Sequence, residues 1–250
     1  MLIKSQNLSQ KLVMNTTLNY SLNFDIKKRK KREIKFIIFH YTGMKKETDA
    51  IKRLVDRKSK VSCHYLINHK GCVTQLVLEK YTAWHAGKSR WGKFINLNKY
   101  SIGIELQNKG HDHGYESFSR KQIKSLINLC KILKKKYFIK KENFLGHSDI
   151  APLRKIDPGE KFPWKKLSKF SIGKWYKVKN QKLKFNKMIT KREIFFNNLH
   201  KIGYRYFQIT KKKKTDFKVV SSFQRRYLQS KVNGKIDKKT AEISHFLANE

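Results

Sequence analysis

Acidic residues are scarce in this 250-residue chain: 18 Asp and Glu face 59 Lys and Arg, which leaves a formal net charge of +41. Such an excess of cations attracts polyanions over about a Debye length. The lysines and arginines are nevertheless spread along the whole sequence, and no motif for reading nucleic-acid bases accompanies them. We therefore expect salt-dependent attraction to nucleic acid without sequence preference, and no specific nucleic-acid partner.

Cysteine and long apolar runs are scarce as well. The three cysteines, Cys63, Cys72 and Cys130, are odd in number and lack the spacing of a metal site, which argues against a disulfide framework. No run of about 18 apolar residues occurs, so we expect no transmembrane segment. Residues 1–23 contain no continuous apolar stretch, no small-residue cleavage site and no cysteine for a lipid anchor, so the sequence shows no signal peptide.

The hydrophobic pattern predicts an α/β unit followed by a small helical unit. In the first unit, alternation from Ser101 to Leu106 places Glu105 on the face opposite the core. Ser119 and Gln122 predict a capping box at the start of the clearest helix. The predicted elements are a strand from Ile34 to Phe39, a helix from Glu47 to about Arg57, a hairpin of Ser62 to Asn68 with Cys72 to Val77, and a helix from Ser119 to Tyr137.

The second unit follows a polar, basic stretch from about Lys174 to Lys187. Thr190 and Glu193 form a capping pair for its first helix, and Gly203 supplies the stop. A second helix is predicted from Phe217 to about Gln229, and Asp237 caps a third. Residues 1 to about 25 give only weak signals, which we interpret as a lead-in segment.

One segment combines residues suited to a metal site. His147 and Asp157 are ten positions apart in a stretch stiffened by Pro152 and Pro158, and His40 follows a predicted buried strand. A catalytic zinc site uses three protein ligands from histidine and carboxylate and keeps a position open for water. For any one of these histidines the ordinary interpretation is a hydrogen bond to a backbone carbonyl, and the grouping is what favours metal binding.

Two further residues suit the chemistry of such a site. Glu105 is the only acid in its strand and is the candidate general base, although a carboxylate on the solvent side of a strand is usually a surface charge. Lys155, two residues before Asp157, could stabilise a developing oxyanion, whereas an arbitrary lysine is a solvated cation. His111-Asp112-His113 looks like a ligand tract, but we favour an exposed polar loop there.

Five motifs in order resemble the zinc-dependent N-acetylmuramoyl-L-alanine amidases of the type 2 amidase family. The resemblance covers about residues 30 to 170. The motifs are His40-Tyr41-Thr42, Ser62-Cys63-His64-Tyr65-Leu66-Ile67, Trp84-His85-Ala86-Gly87-Lys88-Ser89, Asn98 with Ser101-Ile102-Gly103-Ile104-Glu105-Leu106, and Gly146 to Gly159.

The resemblance implies a fold, an activity and a site. The implied fold is α/β, a mixed central sheet flanked by helices, and the implied reaction is hydrolysis of the amide between the lactyl group of N-acetylmuramic acid and L-alanine. The substrate would be peptidoglycan or muropeptides, in cell wall turnover. Carried over by position, the zinc ligands are His40, His147 and Asp157, the catalytic acid and base is Glu105, the residue assisting the intermediate is Lys155, and the substrate-binding residues are Trp84, His85 and Tyr41.

Neighbouring motif residues receive other interpretations. For His64 we favour a packed, hydrogen-bonded residue over a substrate contact, and for Asp149 we favour a role in holding the loop or a ligand histidine. Leu153 stands where the family commonly has glycine, so we expect a different turn there.

The helices after Met188 resemble a three-helix peptidoglycan-binding domain. The sequence thus divides into a lead-in of residues 1–29, a zinc amidase domain of residues 30–172, a linker of residues 173–187 and a helical domain of residues 188–250. This organisation resembles the two-domain, outer-membrane-associated branch of the family, which implies a location in the periplasm or at the outer membrane. Because no export signal is visible, a cytoplasmic location stays as an alternative. The alternatives are a non-catalytic peptidoglycan-binding protein and a cytoplasmic amidase that recycles anhydro-muropeptides. We expect a monomer.

Overall fold

The structure, a computed structural model of the chain, describes residues 16–18, 20–177 and 190–250. Most of the predicted linker therefore lies outside the described residues, as do residues 1–15 of the lead-in. The strands are β1 (Thr16–Leu18), β2 (Phe24–Asp25), β3 (Phe36–Tyr41), β4 (Tyr65–Ile67), β5 (Val73–Gln75), β6 (Thr82–Ala83), β7 (Arg90–Trp91), β8 (Phe94–Ile95), β9 (Ser101–Leu106) and β10 (Phe144–Gly146). The helices are α1 (Glu47–Val55), α2 (Arg120–Tyr137), α3 (His147–Ile150), α4 (Trp164–Ser168), α5 (Lys191–Ile202), α6 (Asp216–Tyr227) and α7 (Lys238–Asn249).

A mixed sheet of six strands, in the order β1-β5-β4-β9-β3-β10, forms the centre of the structure. Strands β4, β9, β3 and β10 are parallel to one another, whereas β5 is antiparallel to β4, as expected for the predicted hairpin. Helices flank this sheet, and the predicted fold class is confirmed.

Helix α2 covers one face of the sheet. Its apolar stripe buries Ile123, Leu126, Ile127, Cys130 and Leu133 against Phe39, Ile102, Ile104 and Phe144 of the strands. Because side chains alternate along a strand, the intervening residues of β3 and β10 point to the other face. The hydrophobic periodicity that predicted α2 and the strands therefore also determines which of their faces pack together.

The C-terminal helices cover part of the second face. Phe36, Ile38 and Leu145 of the sheet belong to one buried cluster with Phe195 of α5 and Phe223 of α6. All five side chains are at most 2% exposed. The three helices predicted after Thr190 are present, and they share a core with the sheet. Trp175 and Tyr176, at the start of the predicted linker, also pack against this core.

The lead-in region contributes two strands that the sequence pattern did not predict. Strand β1 pairs in parallel with β5 at the sheet edge, and β2 pairs antiparallel with β6. Both are short, and short strands carry too few residues to show a clear hydrophobic period. Tertiary pairing therefore determines structure here more than local sequence does.

The capping box predicted for α2 forms only in part. The Ser119 hydroxyl accepts a hydrogen bond from the Gln122 backbone N–H at 3.0 Å, as predicted. The Gln122 side chain does not return to Ser119, because it is buried and donates to the carbonyls of Ile67 and Gln107, both at 3.0 Å. The glutamine amide thus connects the ends of two strands to the helix.

We expect Ser119→Ala to lower the free energy of unfolding by about 1 kcal/mol, because the N-cap acceptor of α2 is lost. The Ser119 hydroxyl also donates to His69 O at 2.6 Å, and losing this second hydrogen bond would lower the free energy of unfolding further. The measurement is equilibrium urea denaturation with Lys124→Ala, an exposed α2 position, as the control. Equal stabilities for the two variants would contradict this account of the helix start.

Candidate metal centre and active site

The candidate site lies at the carboxyl ends of three adjacent parallel strands. His40 of β3 is in register with Glu105 of β9, and Gly146 of β10 is in register with Phe39, one residue before His40. His147 follows Gly146 directly. Parallel strands bring their carboxyl ends to one edge, which is where α/β proteins place their ligand sites. The strand register therefore brings together residues that are far apart in the sequence.

Three of the predicted site residues converge on one point. His40 Nδ1 is 3.0 Å from His147 Nδ1, and each of these nitrogens is 3.1 Å from Asp157 Oδ2. The loop that carries Asp157 is held in place because its carbonyl accepts a hydrogen bond from Ser148 N at 2.9 Å. All three side chains are buried, with exposures of 1% for His40, 3% for His147 and 7% for Asp157. They form a group able to hold a metal ion.

The protonation of this group fits a bound cation. His40 Nε2 is 3.0 Å from His85 Nδ1, and His147 Nε2 is 3.2 Å from the Ala86 carbonyl. In the tautomers that carry the proton on Nε2, both Nδ1 lone pairs and the Asp157 carboxylate point at one another, and a cation would balance them. His147 Nε2 also lies 3.3 Å from the Arg154 guanidinium. Ligands of a tetrahedral zinc ion lie about 3.3 Å apart when the bonds are about 2.0 Å long. The three observed spacings suit such an ion.

Burial changes the acid–base behaviour of the same residues. Desolvation, with the neighbouring His147, lowers the pKa of His40 to about 4, which favours its neutral, ligating form. Burial alone would raise the pKa of Asp157, but the charges and hydrogen bonds of His147 and His40 bring it far below its usual range. The carboxylate is therefore ionised and the His40 imidazole neutral near pH 7, as metal ligands must be.

His85 lies behind His40 and orients it. His85 Nδ1 accepts a hydrogen bond from His40 Nε2–H. On the other side of the ring, His85 Nε2 is 3.1 Å from the Ser101 hydroxyl, which donates to the Leu97 carbonyl at 2.6 Å. This chain of hydrogen bonds runs in one direction and fixes the His40 tautomer that leaves Nδ1 free. His85 also lines the pocket, but both of its ring nitrogens are engaged within the protein.

Two neighbouring residues make room for His85 and hold its backbone. A Cβ atom at Gly103 would lie 2.4 Å from His85 Cγ, so the ring packs directly against this glycine. Asn98 Oδ1 accepts hydrogen bonds from the backbone N–H groups of His85 and Ala86 at 3.1 and 2.6 Å. Gly103 and Asn98 belong to the quoted motifs, but sequence spacing gave no sign of these roles.

Glu105 lies on the strand face opposite the α2 core, as predicted, and it faces the site pocket. On this face, Glu105 lines the same pocket as His40, His147 and Asp157. Although the residue is partly exposed, its Oε2 atom is buried and has no hydrogen-bond partner among the described residues. Desolvation, with the charge of Asp157, raises the pKa of Glu105 to about 8.

The remaining predicted residues line the same pocket of about 570 Å³. Lys155 and Tyr41 contribute to its wall together with Trp84, whose indole N–H donates to Asp25 at 2.8 Å. Arg154 also lines the pocket, and its guanidinium donates to the carbonyls of Ala86 and Lys88. Sequence reasoning missed Arg154, although its place beside Lys155 could have drawn attention to it.

Asp112 and His113 are exposed, as predicted for this loop, whereas His111 is half-buried and has partners within the protein. The Tyr41 hydroxyl is 3.0 Å from His111 Nδ1, and His111 Nε2 is 3.1 Å from Glu160 Oε2. The ring also stacks on Tyr115 with centroids 4.3 Å apart. These partners come from distant parts of the sequence, so the polar, glycine-flanked context of His111 was misleading.

His64, Asp149 and Leu153 can also be placed. His64 is buried, accepts a hydrogen bond from Gly103 N at 3.0 Å and contacts Arg29, so its predicted packed state is confirmed. Asp149 accepts from the Gly146 backbone N–H at 2.8 Å and holds the turn that leads into His147. Leu153 does not adopt a positive φ, so the backbone at this position does not require the family's glycine.

Comparisons with known proteins agree with this geometry. A family model described as N-acetylmuramoyl-L-alanine amidase matches residues 30–160. The N-acetylmuramoyl-L-alanine amidase AmiD of Escherichia coli is 34% identical over 229 residues, covering 86% of this chain and 82% of that protein. The chain belongs to the N-acetylmuramoyl-L-alanine amidase family.

Other members of this amidase family are similar over different lengths. The 1,6-anhydro-N-acetylmuramyl-L-alanine amidase AmpD of Haemophilus influenzae is 33% identical over 164 residues, 58% of this chain and 86% of that protein. The structure of AmiD from E. coli with the substrate anhydro-N-acetylmuramic acid-L-Ala-D-gamma-Glu-L-Lys superposes with a TM-score of 0.76 at 32% identity, covering 87% of this chain and 89% of that one.

A second solved structure is similar over the same share of this chain. AmpDh3 of Pseudomonas aeruginosa in complex with anhydromuramic pentapeptide has a TM-score of 0.73 at 29% identity, covering 87% of this chain and 92% of that one. Both substrate complexes thus extend beyond the amidase domain and include the region of the C-terminal helices. Over the described part of this amidase, no helix is long and apolar enough to cross a membrane.

We expect His85→Phe to weaken metal binding by about 10- to 100-fold, because the ring volume stays while the acceptor for His40 Nε2 is lost. Competition against a chromophoric chelator, with zinc as the probe, measures the affinity. Gly103→Ala, which displaces the His85 ring without changing its chemistry, is expected to act in the same direction. Unchanged affinity in a folded His85→Phe protein would contradict the proposed orientation of His40.

For the metal-free protein, we expect Glu105→Gln to add stability that grows with pH. The Glu105 pKa is about 8 in the folded state against the ordinary value of 4.5, so between these pH values the folded state holds more protons than the unfolded state. Wild-type stability therefore falls as pH rises through this window, by up to about 1.4 kcal/mol per pH unit, while the glutamine variant escapes that loss.

Urea denaturation at several pH values measures this difference. Glu142→Gln, which removes an exposed carboxylate outside the pocket, is the matched control. A stability difference between Glu105→Gln and wild type that stayed constant between pH 4.5 and 8 would contradict the raised pKa of Glu105.

Proposed function

We propose that this protein is a zinc-dependent amidase that hydrolyses the bond between the lactyl group of N-acetylmuramic acid and L-alanine. The observation that carries the proposal is the convergence of His40 Nδ1, His147 Nδ1 and Asp157 Oδ2 beside the unpartnered carboxylate of Glu105. A set of two imidazoles and one carboxylate suits zinc in a hydrolase. The AmiD and AmpDh3 complexes hold anhydromuramic peptides, which supports muropeptides as the substrate class.

The residues around the donor set have complementary roles in this proposal. His40, His147 and Asp157 would hold the zinc ion, which would supply Lewis acidity toward water and the scissile carbonyl. Glu105 accepts the proton of the attacking water and later returns it to the leaving amine of L-alanine. A pKa of about 8 suits a group that both takes and gives a proton near neutral pH. The Lys155 ammonium opposes the negative charge that develops on the carbonyl oxygen.

Substrate would occupy the pocket around these residues. Trp84 and Tyr41 form part of its wall and offer aromatic surface to a sugar or a peptide. The Tyr41 hydroxyl is held by His111, and His111 is held in turn by Glu160. His85 contributes through His40, because its two ring nitrogens are already engaged.

The substrate also bears on where the protein acts. Peptidoglycan lies outside the cytoplasm, so we propose that the protein works in the cell envelope on peptidoglycan or on fragments released from it. The high positive charge of the chain would favour association with anionic wall material through non-specific electrostatics. Binding of glycan by the C-terminal helices, as their resemblance implies, remains part of this proposal.

We expect the purified protein to release peptides with a free N-terminal L-alanine from peptidoglycan and from anhydro-muropeptides, detected by mass spectrometry. A chelator should abolish release, and added zinc should restore it. His147→Ala should lose both zinc and activity, while Glu105→Gln should keep zinc and lose at least about a hundredfold in kcat. His69→Ala, outside the pocket, serves as the matched histidine control.

Two outcomes would contradict the proposal. Activity that survives complete removal of metal would exclude a zinc mechanism. A zinc-loaded wild-type protein that binds muropeptides but releases no peptide would favour a non-catalytic binding protein on the same fold. Comparison of rates on intact peptidoglycan and on anhydro-muropeptides would separate wall degradation from fragment recycling.

A further inference from the structure

Asp149 is a buried carboxylate two residues after His147, and it has partners outside the amidase loop. Its side chain is 1% exposed, and it accepts a hydrogen bond from Gly146 N at 2.8 Å. The Tyr204 hydroxyl donates to Asp149 Oδ1 at 2.5 Å, and Arg226 Nη1 donates to Asp149 Oδ2 at 2.5 Å. Tyr204 and Arg226 both belong to the C-terminal helical region.

Arg226 joins three parts of the structure at this point. It is 2% exposed, and its second terminal nitrogen donates to the Phe144 carbonyl at 3.0 Å, at the start of the strand that leads to His147. Its guanidinium lies 4.1 Å from the centre of the Trp164 ring. A buried arginine with a carboxylate, a carbonyl and an aromatic face around it is fixed in one orientation.

Other side chains of α6 hold the backbone of the same loop. The Ser222 hydroxyl donates to the carbonyl of Ser148, the residue after His147, at 2.7 Å. Lys218 Nζ donates to the Leu153 carbonyl at 3.2 Å. Just beyond α6, Gln229 donates to the Phe162 carbonyl at 2.6 Å. The helix thus contacts the loop at several points along its length.

The loop itself has little freedom to absorb a change at this junction. A Cβ atom at Gly146 would lie 2.7 Å from Pro158 Cδ, so the residue before His147 packs tightly against the residue after Asp157. A shift of the Asp149 turn would therefore move His147 relative to Asp157. Since each proposed ligand lies about 3 Å from the others, small shifts change the fit to a metal ion.

We propose that the C-terminal helices are a positioning part of the metal centre. Through Tyr204, Ser222 and Arg226 they fix the turn that carries His147, in addition to any contact they make with glycan. The inference rests on the proposed metal site, but it does not require amidase activity, because its readouts are metal affinity and metal geometry. Tyr204 and Arg226 are positioning residues, since they act through Asp149.

The test compares two arginines of the C-terminal helices that each pair with an aspartate. Arg226→Gln removes the charge that faces Asp149. Arg192→Gln removes the partner of Asp216, at 2.6 Å, within the helical region and without contact to the loop. Tyr204→Phe deletes only the hydroxyl that donates to Asp149. Zinc affinity is measured by chelator competition on the full chain, and circular dichroism establishes that each variant is folded.

We expect Arg226→Gln and Tyr204→Phe to weaken zinc binding by about tenfold or more, and Arg226→Lys to keep part of the affinity. Arg192→Gln should lower thermal stability while its zinc affinity stays within about twofold of wild type. The visible spectrum of cobalt-substituted protein, which reports ligand geometry, should change in the first two variants and not in Arg192→Gln.

Two results would overturn the inference. One is wild-type zinc affinity and cobalt spectrum in both Tyr204→Phe and Arg226→Gln. The other is an equal loss of zinc affinity in Arg192→Gln, which would assign the effect to general destabilisation of the helices. Because Tyr204→Phe removes a single oxygen atom, it keeps the test decisive if Arg226→Gln does not fold. A wild-type protein that binds zinc without cleaving muropeptides would contradict the proposed function and leave this inference intact.

Discussion

The parallel pairing of β3 with β9 and β10 is the constraint on which the site depends. This pairing aligns His40 with Glu105 and places His147 one position beyond the end of the neighbouring strand. A register shift of one residue would turn each of these side chains to the opposite face of the sheet. The apolar residues that alternate with them are buried under α2, and their burial fixes the register. Core packing and site assembly are therefore consequences of the same pairing.

The Nε2 atoms of the two proposed histidine ligands are engaged by contacts within the protein. His40 and His147 direct Nε2 at acceptors within the protein, so their Nδ1 lone pairs converge with Asp157. His85 extends this arrangement through Ser101 to a backbone carbonyl, and Gly103 leaves space for its ring. A neutral His40 imidazole beside the ionised Asp157 carboxylate limits the number of buried charges at the site. Glu105 stands apart from this network, which leaves its carboxylate available for proton transfer.

The C-terminal helices share the amidase core. Their aromatic residues cover Phe36, Ile38 and Leu145, and Arg226 reaches the carboxylate behind His147. A helical region resembling a wall-binding domain thus buries its inner surface against the sheet and the metal loop. Relatives that extend through the same region superpose over most of this chain, in agreement with a shared arrangement.

The sequence by itself determined the elements with strong periodicity and the residues at their ends. It predicted β3, β9, α2, the C-terminal helices and the grouping of His40, His147 and Asp157, because alternation and helical spacing are local properties of the chain. Tertiary structure alone decided the pocket around Glu105, the partner of His85, the place of His111 and the attachment of the helices to the metal loop. His40 and His85 are 45 positions apart and Asp149 and Arg226 are 77 apart, so no local pattern links them. Periodicity shows which face of an element is apolar, and only the folded chain shows what covers that face and which distant polar group completes each hydrogen bond.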